Sequence, residues 1–118
     1  MKFEIIFYDL PNGEKPALEF LLSVNVKLRA KISRDIELLR DNGTALREPY
    51  SKPLGDGIFE LRTKCGSDIS RVLYFFVIGR RIILTNGFIK KSDKTPRAEK
   101  EKAIGYMKEY MNRKESSQ

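Results

Sequence analysis

The sequence predicts an α+β domain in which a small, antiparallel-dominated sheet carries helices on its surface. Three observations favour this class. A β-branched and aromatic run opens the chain, and two segments with helical spacing follow it. Three strand-like segments then succeed one another across short links, which permit only antiparallel hairpins. A last helical segment completes the order β-α-α-β-β-β-α, and 118 residues suit one domain over residues 1–118.

The first half of the chain predicts one strand and two helices. The run KFEIIFY at residues 2–8 favours a strand, which must pair within the same sheet because a lone apolar strand is a sticky edge. Pro16 fits the first turn of a helix, and Asn25 predicts a fresh N-cap. Asn42-Gly43 predicts a left-handed helix stop. The expectation is two helices packed as a hairpin, or one kinked helix.

The second half predicts a loop over residues 44–57, then strands and a final helix. The middle strand is apolar on both faces, so it is expected to be central and covered on both sides. Thr95-Pro96 predicts the start of the last helix, and residues 113–118 are expected to form a frayed tail. The three strands are expected near residues 58–64, 69–77 and 81–89.

The composition argues against several classes of function. The chain contains no histidine, which removes the commonest general base and most zinc and iron site designs. Its only cysteine, Cys65, excludes an internal disulfide and favours a reducing, cytoplasmic compartment. No apolar run approaches the ~18 residues of a membrane span, so no membrane partner is expected. Neither a P-loop nor a GxGxxG pattern occurs.

The positive charge is concentrated in one half of the chain. Residues 1–59 hold 9 Lys and Arg against 9 Asp and Glu, whereas residues 60–118 hold 14 against 7. The whole net charge of +7 therefore lies in the second half. Such an asymmetry favours a polyanionic partner, with nucleic acid as the leading candidate. The alternative is a basic surface that serves solubility.

A group of charged residues lies in and around the predicted strands. Glu60, Arg62 and Lys64 alternate on one strand face, and Lys52 precedes that strand. Arg71 interrupts the apolar central strand, where a charge must be partnered or must face a cleft. One alternative makes Arg71 and Glu60 a structural pair across the hairpin.

A second cationic segment follows the last predicted strand. Lys90, Lys91 and Lys94 lie next to Phe88, an arrangement that suits a base stacked on the ring while lysines hold phosphate. The alternative is that Phe88 belongs to the core.

A cationic cluster of this kind can cleave RNA without a metal. The 2′-hydroxyl attacks the adjacent phosphorus, and fixed Arg and Lys donors stabilise the negative charge that develops on the phosphoryl oxygens. Proton transfer needs a base and an acid. Without histidine the candidates are a lysine, a tyrosine or a carboxylate such as Glu60. A glycosidase-type carboxylate pair is not indicated, because Glu60, Asp68 and Asp93 are scattered.

Several stretches in a fixed order resemble the RelE/ParE toxin superfamily, and more narrowly its HigB branch, which includes the phage-derived Gp49-like proteins. The resemblance extends over about residues 2–111. The residues that carry it are Lys52-Pro53-Leu54, Gly57-Ile58-Phe59-Glu60-Leu61-Arg62, Arg71-Val72-Leu73-Tyr74, Gly87-Phe88-Ile89-Lys90-Lys91, Lys94-Thr95-Pro96, Glu99 and Ala103.

The resemblance implies a compact RelE-like fold with two N-terminal helices and one C-terminal helix. It also implies a toxin of a type II toxin–antitoxin pair that cleaves messenger RNA, usually on the translating ribosome, with no cofactor or metal. The implied partner is a helix-turn-helix, HigA-like antitoxin that neutralises the toxin and binds operator DNA together with it.

The resemblance also assigns roles to residues. Arg62 and Arg71 are expected to stabilise the phosphate and the transition state, and Lys52, Lys90 and Lys91 to bind or transfer protons. Independently of the resemblance, the cationic segments themselves predict nucleic-acid contacts at Lys64, Phe88 and Lys94.

One position departs from the family pattern. Family members often carry histidine immediately before the Gly-Phe of the last strand, and this chain has Asn86 there. An amide cannot exchange a proton near neutral pH, so the proton transfer is left to lysine or tyrosine, or activity depends on positioning and charge. Two alternatives stay open: a ParE-like poison of DNA gyrase, and a nucleic-acid-binding module without activity.

Overall fold

The structure is a computed structural model that describes residues 2–90 and 94–116, with side chains up to Arg113. As predicted, one helix begins at Pro16, and a second helix follows the cap Asn25 and ends at the C-cap Gly43. The elements are β1 (Glu4–Phe7), α1 (Pro16–Ser23), α2 (Val26–Asn42), a 3₁₀ turn (Gly43–Ala45), β2 (Ser51–Gly55), β3 (Ile58–Cys65), β4 (Asp68–Val77), β5 (Arg81–Lys90) and α3 (Arg97–Ser116).

The five strands form one sheet in the order β1-β5-β4-β3-β2. β1 pairs with β5 in parallel, and every other pair is antiparallel. The predicted α+β class, the antiparallel hairpins and the pairing of the N-terminal strand are therefore confirmed. The arrangement agrees with the RelE-like fold that the resemblance implies.

β2 corrects the predicted loop over residues 44–57. Ser51 pairs with Leu61 of β3, and the strand continues to Gly55 with a register shift after Pro53. β2 lies at the edge of the sheet, where a proline is tolerated because its missing N–H is not needed on the outer side. The Pro and Gly content that indicated a loop is thus compatible with a bulged edge strand.

Two helical layers cover the two faces of the sheet. α1 and α2 pack on one face, where Val72 and Tyr74 of β4 join the core. α3 packs on the other, where Leu73 and Phe75 join a second core. β4 is central and buried on both faces, as its apolar sequence predicted.

The two N-terminal helices are separate, which decides between the predicted hairpin and a kinked helix. Oδ1 of Asn25 accepts a hydrogen bond of 2.9 Å from the Leu28 amide, so Asn25 is the expected N-cap. Gly43 ends α2 at φ +53°, and a Cβ there would overlap the Phe3 ring. Glycine is therefore required both by the backbone angle and by the space.

The bounds of α3 differ from the prediction at both ends. The helix begins at Arg97 rather than at the predicted Thr95-Pro96, and the hydroxyl of Thr95 donates a hydrogen bond to Glu60. The helix continues to Ser116, so the expected frayed tail is wrong up to that residue, while residues 117–118 lie outside the described part. Arg113 holds this end through a 3.1 Å ion pair with Asp9.

None of the helices in residues 2–90 and 94–116 is both long and apolar enough to span a membrane.

Candidate active site

The strand register brings distant candidate residues side by side. Arg62 of β3 is paired with Arg71 of β4, and Arg71 is paired with Phe88 of β5. The three residues form a row across the sheet, on the face that α3 covers further along. Two arginines and an aromatic ring that are far apart in sequence therefore line one patch.

The neighbouring rows add further candidates to the same face. On one side, Lys64 and Lys90 flank Ile69 of the central strand. On the other side, Lys52 of the edge strand is paired with Glu60. Because side chains two residues apart on a strand share a face, the predicted alternation of residues 60, 62 and 64 is what places these groups together.

Glu60 is the centre of the patch and is only 1% exposed. Its Oε2 lies 3.3 Å from Nε of Arg71 and 3.5 Å from Nε of Arg62. Its Oε1 accepts the hydrogen bond from Thr95, which connects β3 to the segment that enters α3. One buried carboxylate thus fixes two guanidinium groups and the start of a helix.

Arg71 and Arg62 differ in their access to solvent. The Arg71 side chain is fully buried, and its ion pair with Glu60 confirms the structural pairing that the sequence left as an alternative. The Arg62 side chain is 19% exposed. Arg62 is therefore the guanidinium that is partly accessible to solvent. The buried Arg71 contacts the same Glu60 carboxylate.

Lysines form an exposed rim around this buried centre. Lys52, Lys64, Lys90 and Lys94 are exposed. Lys91, the fifth lysine that the sequence singled out, lies outside the described residues. Exposed ammonium groups around a buried charged cluster are suited to holding phosphates of a ligand that enters from solvent.

A cavity of about 270 Å³ opens between the rim and α3. Glu60 and Thr95 line it together with Lys52 and Lys94. The carboxylate that fixes the arginines therefore also borders a space that a small part of a ligand can enter.

Asn86 has a structural role at the position where the resemblance led us to expect histidine. It is 3% exposed, its amide donates a 3.0 Å hydrogen bond to Glu99 of α3, and its Oδ1 accepts one of 2.7 Å from Thr85. Thr85 is the extra residue of a β-bulge, since Leu73 pairs with Asn86 and Tyr74 pairs with Leu84. The amide therefore joins β5 to α3.

Phe88 is partly buried and packs against the core on the α3 side of the sheet. The alternative that this ring belongs to the core is therefore supported, and the side chain is partly exposed.

Two buried tyrosines are poor candidates for a general base. Burial raises the pKa of the Tyr74 hydroxyl, which lies on the opposite face of the sheet. Burial, together with the hydrogen bond to Glu109, also raises the pKa of the Tyr8 hydroxyl. Tyr8 directly follows β1 and contacts α3 through this bond, outside the patch. Both hydroxyls therefore stay protonated near neutral pH.

The sequence missed Thr95 and Glu99 as partners of the site. Thr95 is typical of a helix cap. Both Thr95 and Glu99 are among the residues that carry the family resemblance, but the sequence assigned neither of them a contact with the sheet. A hydroxyl or carboxylate at a helix start is usually a local cap, so only the packing of α3 on the sheet reveals these long-range contacts.

The comparison with family models matches residues 19–108 to the family described as phage derived protein Gp49-like (DUF891). The chain belongs to the Gp49-like family. The matched region extends from α1 into α3 and contains Glu60, both arginines and the exposed lysines. The Gp49-like family is a RelE- and HigB-like toxin family of toxin–antitoxin systems. No curated protein matches the chain.

Proposed function

We propose that this Gp49-like protein is the toxin of a type II toxin–antitoxin pair and a metal-independent endoribonuclease that cleaves messenger RNA on the translating ribosome. The observation that carries the proposal is the arrangement around Glu60: two guanidinium groups held by one buried carboxylate, and exposed lysines around them. Family membership supports the toxin class.

The proposed reaction is a transesterification within the RNA. O2′ forms a bond to the adjacent phosphorus while the bond from phosphorus to O5′ breaks. A base takes the 2′-hydroxyl proton, and an acid gives a proton to the leaving O5′. The products are a 2′,3′-cyclic phosphate and a 5′-hydroxyl end.

Arg62 is the proposed donor to the phosphoryl oxygens. It is the more accessible guanidinium, and Glu60 limits its orientation. A pre-oriented donor costs no reorganisation when negative charge develops, and one such donor contributes about 10²–10³ in rate. Arg71 is a positioning residue in this proposal, because its buried side chain reaches Glu60.

Proton transfer is assigned to the rim lysines. Lys52 is exposed, borders the 270 Å³ cavity and pairs across β2 and β3 with Glu60. It is the proposed proton-transfer group, and Lys90 and Lys94 bind phosphates. Glu60 is less suited to this step, because both of its oxygens already contact donors.

The proposed partners follow from the same assignment. A helix-turn-helix antitoxin neutralises the toxin and carries it to operator DNA, and the ribosome presents the messenger RNA. Both act in the cytoplasm.

The test is to induce the chain in cells and to map messenger RNA 5′ ends at single-nucleotide resolution. The expected result is new ends within coding regions, in phase with the reading frame, which are lost with Arg62→Ala. Lys108→Ala is the matched control, because it removes one exposed charge from α3 away from the patch. Growth arrest without new ends, together with inhibited supercoiling by gyrase, overturns the proposal.

A further inference from the structure

A second, larger cavity lies next to the site, across the edge of β3. Its volume is about 680 Å³, within the range of about 300–1,000 Å³ typical of ligand pockets. It is bounded by α2, by the segment that precedes β2 and by β3. The residues that matter for its chemistry are Arg34, Asp35, Tyr50, Lys52, Arg62 and Lys64.

The cavity exists because β2 is shorter than β3. β2 begins at Ser51, opposite Leu61, and the carbonyl of Tyr50 accepts the last hydrogen bond from the Arg62 amide. In the described ranges, no residue of β2 pairs with β3 beyond that point. A 2.7 Å hydrogen bond from Thr63 to Asp35 holds α2 against β3 and forms one wall.

The lining of this cavity is predominantly cationic. Arg34, Lys52, Arg62 and Lys64 line it, and Asp35 is the only carboxylate among the lining residues that the structure describes. Asp35 is 4% exposed and is occupied by Thr63. Arg34, Lys52 and Lys64 are exposed and form no ion pair with any residue in the described part of the chain. A polyanionic ligand therefore meets available positive charge.

An aromatic ring accompanies these charges. Tyr50 is 41% exposed, a large fraction for an aromatic side chain beside a cavity. Cations that follow a backbone, together with an exposed ring on which a base stacks, are the usual combination in single-strand binding sites. An acidic peptide would satisfy the cations alone, so the ring favours a nucleotide strand.

The cavity adjoins the candidate active site. Lys52 lines both this cavity and the 270 Å³ cavity beside Glu60. Arg62, whose Nε lies 3.5 Å from Oε2 of Glu60, lines the larger cavity. A strand that places its scissile phosphate near Arg62 therefore has the larger cavity directly beside it.

We propose that this cavity is a nucleotide subsite for the single-stranded RNA next to the scissile phosphate. Arg34 and Lys64 bind phosphate, and Tyr50 stacks on a base. This inference rests on the proposed function. It assigns an RNA contact to α2, in the half of the chain whose net charge is zero.

The first experiment measures the salt dependence of binding. The probe is a fluorescent single-stranded RNA of about 12 nucleotides, methylated at every 2′-oxygen so that it is not cleaved. Loss of one phosphate contact lowers the slope of log affinity against log salt by about 0.7. The ratio of the RNA affinity of the unchanged protein to that of Arg34→Ala is therefore expected to fall about 2.6-fold when the salt concentration rises fourfold. Lys27→Ala is the control, because Lys27 is exposed on the same helix and lies outside the cavity lining.

The second experiment tests the stacking role of the ring. Tyr50→Ala is expected to weaken binding of the same probe about 5- to 150-fold, whereas Tyr50→Phe keeps the ring and the affinity. Unchanged thermal melting of the variants shows that the fold is retained.

The outcomes separate the two proposals. If the unchanged protein cleaves messenger RNA and binds the probe, but Arg34→Ala and Tyr50→Ala behave like Lys27→Ala, the subsite is wrong and the ribonuclease stands. If the two variants lose binding of an acidic peptide while their RNA binding is unchanged, the subsite is equally wrong. If the unchanged protein neither binds the probe nor cleaves messenger RNA, both proposals fail.

Discussion

Replacing Glu60 by glutamine tests whether one buried carboxylate organises the site. The substitution keeps the shape of the side chain and removes the negative charge that lies 3.3 Å from Arg71 and 3.5 Å from Arg62. Since Arg71 is 0% exposed, water cannot replace the lost partner. Removing one member of a buried ion pair costs about 3–5 kcal/mol, because the remaining buried charge loses a compensating partner.

This cost translates into a large change in melting temperature. At about 2.1 cal/mol/K per residue, unfolding of a chain of 118 residues has an entropy near 250 cal/mol/K. The loss of about 3–5 kcal/mol therefore lowers the melting temperature by roughly 12–20 °C. Thermal unfolding followed by circular dichroism at neutral pH measures it.

A double-mutant cycle makes the test specific for the pair. Arg71→Met removes the buried guanidinium and keeps an apolar stem of similar length. With both residues changed, the cost is expected to be well below the sum of the two single costs, because the buried guanidinium and the carboxylate that compensates its charge are removed together. Additive costs, or a shift of less than about 3 °C for Glu60→Gln, would refute the reasoning.

Two further predictions concern the contacts that hold α3. Arg113 and, to a smaller extent, Tyr8 donate hydrogen bonds to the Glu109 carboxylate and lower its pKa. The charged carboxylate therefore stabilises the fold fully above the ordinary pKa of a glutamate. This stabilisation is lost as the pH falls through the lowered pKa of Glu109. The difference in melting temperature between the unchanged protein and Glu109→Gln should therefore be larger at pH ~7 than at pH ~3, and a difference that does not vary with pH contradicts the assignment. Asn86→Asp places a carboxylate where an amide donates 3.0 Å to Glu99, and the lost hydrogen bond costs about 1–3 kcal/mol, or roughly 4–12 °C at neutral pH. Thermal melts measure this loss, and a variant as stable as the unchanged protein would show that Asn86 does not join β5 to α3.

The prediction from sequence succeeded where the signal is local. The Asn25 cap and the Gly43 stop depend on residues a few positions away, and both are present as expected. The failures are non-local. Residues 51–55 become a strand only because β3 is there to pair with them, and their own Pro and Gly content indicates a loop.

The candidate site shows the same division. Alternation along β3 correctly placed Glu60 and Arg62 on one face. It did not decide whether Arg71 contacts a substrate or a partner, because the answer depends on which residue is opposite and what covers it. The structure pairs Arg71 with Glu60 and buries it.

The sequence by itself determined the order of the elements apart from β2, the burial of β4 on both faces, the charge asymmetry and the absence of histidine, because these properties follow from residue type and periodicity. Tertiary structure alone decided the links from Glu60 to Thr95 and from Asn86 to Glu99, and it brought Arg34 into a cavity with Lys52 and Lys64. These contacts join side chains from elements that are distant in the chain. Strand register and the packing of the helices on the sheet determine such contacts. Both depend on residues from several segments of the chain, so no single segment predicts them.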